Sequence, residues 1–172
     1  LLASGLHSDT YVQCARVLEH PRTAQALCRR LAEALRGVAL DVVVGPAYGG
    51  ILVAYELASA LGARAMYAER VNNTLVLRRG FDVGGGTRVL VAEDVVTTGG
   101  SAQETLELVR SLGAAPIGVA ALVDRTGGRN PFAIPFQALL PLTPPPWTPE
   151  ECPQCRSGRA LETPGSKQLK PA

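Results

Sequence analysis

Lysine is almost missing from this chain: Lys167 and Lys170 are the only two, and the other basic side chains are mainly arginines. No lysine is therefore available as a catalytic amine in the main body of the sequence. No run of 18 apolar residues occurs, so we expect no membrane-spanning helix. A formal net charge of +2 gives no reason to expect nucleic acid or an acidic membrane as a partner.

Several signals of other classes are missing too. There is no Gly-Lys-Ser/Thr ending of a nucleotide-binding P-loop and no spaced-glycine dinucleotide fingerprint. No signal peptide is recognisable, although the sequence begins at Leu1 without methionine, and we expect a cytoplasmic location. The 172 residues, 47% apolar and 19% charged, fit a single domain over 1–172.

The four cysteines are of two kinds. Cys14 and Cys28 lie in apolar or helical contexts and are interpreted as reduced thiols. Cys152 and Cys155 form one C-x-x-C, which is half a zinc site with no second pair or nearby histidine to complete it. Zinc binding, a disulfide and a simple turn in the tail all remain open for this pair.

Strand and helix patterns alternate along the chain, which favours a parallel α/β sheet with right-handed crossovers. Segment 70–86 is polar and partly alternating, as in a hairpin, and 143–172 is a proline-rich extended tail. Helices are predicted over 21–36, from about 50 to 61 and over 101–112, and strands over 41–45, 63–68, 89–92, 116–123 and 136–142.

The segment 89–101 carries the strongest functional signal. Four apolar residues predict a buried strand, and Glu93 and Asp94 follow it. A Thr-Thr-Gly-Gly-Ser turn then opens a helix, so that backbone N–H groups and the helix dipole can converge on a phosphate. The alternative is a plain tight turn with Ser101 as the N-cap. Adjacent carboxylates repel each other unless a ligand or cation compensates them, which favours ligand binding.

Two further glycine-bearing loops are predicted at the same edge of the sheet. Segment 46–50 follows one strand, and 125–128 follows another and includes Arg125. Ligands in open parallel sheets bind beyond the carboxyl ends of the strands. The three loops together define the candidate site.

The 89–101 segment resembles the phosphoribosyl-pyrophosphate (PRPP) loop of type I phosphoribosyltransferases. Further motifs that match one branch of this family are Ser4–Asp9, Gly45–Gly50, Leu77–Phe81, Leu122–Gly128, Cys152–Cys155 and Pro164–Ser166. With them, the chain resembles over nearly its whole length the short prokaryotic branch of the orotate phosphoribosyltransferases. The resemblance implies a parallel sheet with helices on both faces, a small N-terminal hood (1–17) and a mobile β-hairpin loop (70–86).

That resemblance implies an enzyme of pyrimidine biosynthesis that joins orotate to PRPP, giving orotidine 5′-phosphate and pyrophosphate. Mg²⁺ is then held mostly by substrate oxygens, without dedicated metal ligands, and a homodimer is expected. The implied PRPP contacts are Glu93, Asp94, Val95, Val96, Thr97, Thr98, Gly99, Gly100, Ser101, Ala47, Tyr48, Gly49 and Arg70. The implied orotate contacts are Thr97, Arg125, Ser4, Gly5 and Tyr11.

The sequence departs from the family in its charged residues. Many members have lysine where this chain has Gly49, and 70–86 lacks the lysines and histidine of the usual mobile loop. Arginine stabilises charge but is no general acid at neutral pH. We therefore hypothesise that Arg78 and Arg79 are catalytic residues that assist pyrophosphate departure electrostatically. The alternatives are a solvated hairpin face for these two and, for Arg125, a structural ion pair with Asp124.

Two other functions compete with this one. A phosphoribosyltransferase for another base, such as a purine, would keep the 93–101 loop but need a different hood. A non-catalytic PRPP-sensing regulator on the same fold would usually add a DNA-binding domain or a basic face, and neither is present.

Overall fold

The computed structural model describes residues 1–2 and 4–164. The chain divides into two compact units: unit 1 comprises Leu1–Gln13 and Thr143–Ala172, and unit 2 comprises Cys14–Leu142. The prediction of one domain over 1–172 stays a prediction. Both lysines and part of the Pro164–Ser166 motif lie outside the described residues.

Unit 2 alternates helices and strands, as the sequence predicts. Pro21 begins the second helix, where its fixed φ suits the first helical position. The elements are α1 Cys14–Leu18, α2 Pro21–Ala34, β1 Val42–Pro46, α3 Gly49–Leu61, β2 Arg64–Val71, β3 Thr74–Val76, β4 Arg88–Val96, α4 Gly100–Ser111, β5 Ala115–Asp124 and β6 Phe136–Pro141. None of the helices in the described residues is long and apolar enough to cross a membrane.

The six strands form one sheet in the order β3-β2-β1-β4-β5-β6. All neighbours pair in parallel except β2 and β3, which are antiparallel. The chain moves outward from β1 to β2 and β3, and then returns to β4 and continues outward on the other side. The strand order therefore reverses between β1 and β4, and ligands in such sheets bind beyond the carboxyl ends of these strands.

Helices cover both faces of the sheet. Val44 of β1 and Val109 of α4 belong to one buried apolar cluster. The next residue, Gly45, points to the other face, where a Cβ would collide with the Gly50 carbonyl and lie 3.0 Å from Ala54 Cβ in α3. Because successive residues in a strand point to opposite faces, α3 and α4 lie on opposite sides of the sheet. The predicted fold class is confirmed.

β2 and β4 are both longer than predicted, and β2 ends at Val71 instead of residue 68. β4 continues past its four apolar residues to Val96, because β5 pairs with it up to Val96 and Asp124. Glu93 and Asp94 are thus part of the strand rather than of the loop after it. A hairpin forms between β2 and β3, but its turn lies at residues 72–73, and residues 77–86 of the predicted segment form no strand.

Short helices occur where none was predicted. α1 begins at Cys14, inside the segment expected to belong to the hood. A four-residue helix, α5 Pro153–Arg156, interrupts the tail that was expected to be extended. Pro153 at its first position favours this turn, and the proline-rich surroundings obscured it in the sequence.

Candidate active site

The turn between β4 and α4 has the geometry of an anion-binding site. Gly99 is the N-cap of α4 in the left-handed conformation, with φ +81°, and no side chain caps the helix. Ser101 lies inside the first turn, so the interpretation of Ser101 as the N-cap is wrong. Since the first N–H groups of a helix have no partner within the helix, this uncapped end can bind a phosphate.

An aromatic ring fixes the position of that turn. A Cβ at Gly99 would lie 2.9 Å from Phe132 Cε1 and 2.9 Å from Pro131 Cγ. Only glycine satisfies both this close approach and the positive φ. Phe132 is buried in the cluster beneath α4, and the sequence analysis missed it because its loop carries no periodic pattern.

The two acidic residues lie at the end of β4 in partly dehydrated surroundings. Glu93 is buried, and Asp94 is half-buried. Desolvation raises the pKa of Asp94, and hydrogen bonds from the backbone N–H groups of Val95 and Asp94 oppose that shift only in part. The Val95 N–H lies 2.8 Å from Asp94 Oδ1. A desolvated carboxylate gains from accepting ligand hydroxyl groups.

The loop after β1 touches this carboxylate directly. A Cβ at Gly49 would collide with the carboxylate of Asp94. Any side chain at position 49, lysine included, would therefore displace Asp94, which gives a physical reason for the glycine. The structure thus brings together the predicted loops 46–50 and 93–101.

In the rest of the β1 loop only Tyr48 is exposed, since Pro46 and Gly50 are buried. The Ala47 N–H donates to the Ala68 carbonyl of β2 at 2.8 Å, and the Ala47–Tyr48 peptide bond is cis. Tyr48 is 88% exposed. The backbone of this loop therefore lies at the carboxyl edge of the sheet, the edge at which β1, β2, β4, β5 and β6 end.

Arg125 lies beside the phosphate turn. Its backbone N–H donates to the Val96 carbonyl at 2.8 Å, which places it alongside Thr97. The Arg125 Nε is buried and has no hydrogen-bond partner among the described residues. Asp124 Oδ1 accepts the Thr126 N–H at 2.7 Å. Within the described part of the chain no salt bridge joins Asp124 to Arg125, so the structure lacks the alternative ion pair.

The hairpin arginines are tied to acidic partners near the carboxyl edge. Arg79 lies 3.2 Å and Arg78 3.9 Å from carboxylate oxygens of Glu69 on β2. Arg70 lies 2.6 Å from Glu104 of α4, a partner that no sequence signal indicated. All three guanidinium groups are exposed, and each is paired with an acidic side chain.

Arg88 lies away from the candidate site. It begins β4 at the amino edge, the opposite edge of the sheet, and forms two side-chain hydrogen bonds to Asp41, of 3.0 and 2.6 Å. Its position at the opposite edge places Arg88 outside the candidate site.

The hood residues belong to unit 1. Ser4 and Gly5 are exposed and Tyr11 is 40% exposed, and their contacts with a base stay a prediction. One expectation about this unit is wrong: a histidine does accompany the cysteine pair. His7 Nδ1 lies 3.2 Å from Cys155 Sγ, a proximity hidden by the 148 positions between them.

Comparisons with known proteins agree with this geometry. The model of the phosphoribosyl transferase domain matches residues 14–135. An orotate phosphoribosyltransferase from Caldanaerobacter subterraneus subsp. tengcongensis is 52% identical over 98% of this chain and 89% of its own length. One from Thermotoga maritima is 46% identical over 99% of this chain and 91% of its own length.

Solved structures give the same result. The crystal structure of orotate phosphoribosyltransferase from Aeropyrum pernix has a TM-score of 0.71 and 25% identity, covering 83% of this chain and 84% of that one. The fold of the chain is therefore that of the phosphoribosyltransferases. The chain belongs to this family, within its orotate phosphoribosyltransferase branch.

Proposed function

We propose that this protein transfers the 5-phosphoribosyl group of PRPP to orotate in the cytoplasm, giving orotidine 5′-phosphate and pyrophosphate. The uncapped N-terminus of α4 beside the desolvated Asp94 carboxylate is the observation that carries this proposal. The near-complete coverage by relatives about half identical supports orotate as the base.

The phosphoribosyl end of PRPP fits the β4–α4 turn. Backbone N–H groups of residues 97–101, with the hydroxyls of Thr97, Thr98 and Ser101, bind the 5′-phosphate. Glu93 and Asp94 accept hydrogen bonds from the ribose hydroxyls. Their negative charge also stabilises the ribose as it becomes cationic during loss of pyrophosphate.

Orotate then lies against Arg125. The guanidinium has paired donors that match a carboxylate or a ring carbonyl, and its Nε has no partner among the described residues. Orotate N1 is acidic enough to arrive largely deprotonated, so no strong general base is required. Thr97, in register with Arg125, supplies a further contact.

Pyrophosphate leaves on the side of Ala47, Tyr48 and Gly49, whose backbone approaches phosphate oxygens closely. Arg78 and Arg79 stabilise the departing charge from the hairpin, from their own subunit or from its partner. Their present hydrogen-bond and ion-pair partner, Glu69, holds them at this edge of the sheet.

Mg²⁺ fits the site as a substrate-held ion. Among the described residues no group of three metal-ligating side chains lies at this site, and Glu93 and Asp94 face the ribose hydroxyls, so Mg²⁺ would be held mostly by substrate oxygens and water. When bound, the ion neutralises charge on the pyrophosphate group.

A homodimer accompanies this function. Tyr48, Leu52 and Tyr55 recur at spacings of four and three along α3, and are 88, 48 and 66% exposed. This apolar stripe fits a partner subunit. Replacing Leu52 and Tyr55 by glutamate should give a monomer in light scattering, whereas Leu112→Glu, at an exposed leucine outside the stripe, should leave the dimer intact. A dimer that survives both stripe substitutions would contradict this assignment.

The activity is tested by mixing the protein with PRPP, Mg²⁺ and orotate and following orotate's ultraviolet absorbance. We expect orotate to be consumed, with no turnover of adenine, guanine or uracil. Consumption of another base would establish the competing transferase. PRPP binding with no turnover of any base would indicate the regulator.

A further inference from the structure

Three metal-ligating side chains from the two ends of the chain meet in unit 1. The ligand atoms of His7, Cys152 and Cys155 all lie within 4.8 Å of one another. His7 Nδ1 lies 3.2 Å from Cys155 Sγ. No other group of three such residues occurs within the described ranges.

Backbone hydrogen bonds hold each ligand in place. His7 exchanges two backbone hydrogen bonds with Trp147, of 2.8 and 2.9 Å. Cys152 is the N-cap of α5, and Gly158, at φ +76°, donates its N–H to the Cys155 carbonyl at 3.0 Å. Local backbone structure therefore positions the three side chains, in addition to the contact between His7 and Cys155.

The burial pattern of unit 1 is unusual. Among its described residues, His7 and Cys152 are the only two that are buried. Both belong to this cluster, so the centre of the unit is made of metal-ligating side chains and not of aliphatic ones. Small units with so little apolar core usually depend on a metal ion or a disulfide.

We propose that His7, Cys152 and Cys155 bind a zinc ion that links the first residues of unit 1 to its C-terminal segment. One imidazole and two thiolates form a ligand set typical of Zn²⁺, which is tetrahedral in such sites. Cys155 is exposed, so water completes the fourth position from the solvent side. This function of the cluster is structural and separate from catalysis.

The test uses the full chain, purified under reducing conditions without chelator. Elemental analysis should give about one zinc per chain. Replacement by Co²⁺ should give the intense visible bands of a tetrahedral site and a thiolate charge-transfer band in the near ultraviolet. Cys152→Ser and His7→Gln should each lose at least about tenfold in zinc affinity. Cys28→Ala, which removes a thiol elsewhere, should keep the full zinc content.

Thermal unfolding of the unaltered protein gives a second measurement that does not depend on any variant folding well. A strong chelator should lower the Tm of the unaltered protein. Where Cys152→Ser folds, the chelator should leave its Tm unchanged. The proposal is overturned if the unaltered protein neither retains zinc nor takes up Co²⁺ with these spectra. It is equally overturned if titration of the denatured protein finds two free thiols instead of four, since Cys152 and Cys155 would then form a disulfide.

Discussion

Asp41 and Asp94 are the same residue type in opposite surroundings, at the two edges of one sheet. Asp41 immediately precedes β1, and its hydrogen bonds to the Arg88 side chain and backbone N–H lower its pKa to about 2. Asp94 lies near the end of β4, where desolvation raises its pKa. Arg88 neutralises the charge of Asp41, whereas no salt bridge among the described residues neutralises the charge of Asp94.

Other groups follow the same division. At the carboxyl edge, α4 has no side-chain cap and the Arg125 Nε has no hydrogen-bond partner among the described residues. Groups left incompletely satisfied cost folding free energy but are free to bind a ligand. The Asp41–Arg88 pair at the amino edge therefore stabilises the fold, whereas the unsatisfied groups at the carboxyl edge can bind a ligand.

The largest expected effect comes from Asp94→Asn. We expect kcat/KM to fall by roughly 100-fold or more, because a neutral amide stabilises a cationic ribose less. The folded-state pKa of Asp94 is above its unfolded value, so the charged form costs stability at neutral pH and that cost disappears as pH falls through the folded pKa. The variant should therefore gain about 1 kcal/mol in free energy of unfolding at pH 7.

Activity and denaturant unfolding measured on the same preparation would check both parts. Asp41→Asn is the matched control, since it makes the same chemical change at the amino edge. Loss of activity together with loss of stability in Asp94→Asn would contradict the claim that the Asp94 charge costs stability in the folded protein.

Gly99→Ala addresses the phosphate turn. The new Cβ would meet Phe132 and Pro131 in a left-handed conformation, so we expect a loss of about 2–4 kcal/mol in stability and a weaker affinity for PRPP. In Gly100→Ala the nearest atom to the Cβ is Thr98 Oγ1, at 3.8 Å. That variant should change stability by only about 0.5 kcal/mol. Equal effects on Tm from the two substitutions would show that contact with Phe132 and Pro131 does not constrain the turn at Gly99.

Arg78→Ala and Arg79→Ala test the catalytic role proposed for the two hairpin arginines. Each should lower kcat by about tenfold if electrostatic stabilisation of pyrophosphate matters. Arg30→Ala, an exposed arginine paired with Glu33 within α2, should leave kcat unchanged. If both hairpin variants keep full kcat, Arg78 and Arg79 form a solvated face and have no catalytic role.

Asp41→Asn should have the smallest effect. Because hydrogen bonds from Arg88 lower the folded pKa of Asp41 to about 2, below its ordinary value of 3.8, its stabilising contribution is present above pH 3.8 and is lost as pH falls toward 2. The variant should melt slightly below the unaltered protein at pH 6, with the same kcat. That Tm difference should narrow on acidification, and a difference independent of pH would point to packing rather than charge.

The sequence predicted the central part of the fold because its signals are local. Strands β1 and β5 and helices α2 to α4 lie within a few residues of their predicted bounds, since hydrophobic periodicity and glycine turns specify them directly. The end of β4 was missed because Glu93 and Asp94 are poor strand formers, and pairing with β5 overrides that preference.

Contacts between distant residues were not predictable in the same way. Phe132 beneath Gly99, Glu104 beside Arg70 and His7 beside Cys155 join positions whose proximity depends on the assembled fold. The acidic pair and the Gly-Gly turn were found because chemistry and spacing coincide within one short segment. Isolated arginines and histidines belong to no such local motif, so their partners could not be predicted from the sequence.

The most direct test of the central claim is calorimetric titration of PRPP with Mg²⁺ into the unaltered protein, Asp94→Asn and Asp41→Asn. We predict that Asp94→Asn binds PRPP at least about tenfold more weakly, while Asp41→Asn binds it as the unaltered protein does. Equal affinity in all three proteins, or weakening in Asp41→Asn alone, would contradict the assignment of binding to the carboxyl edge.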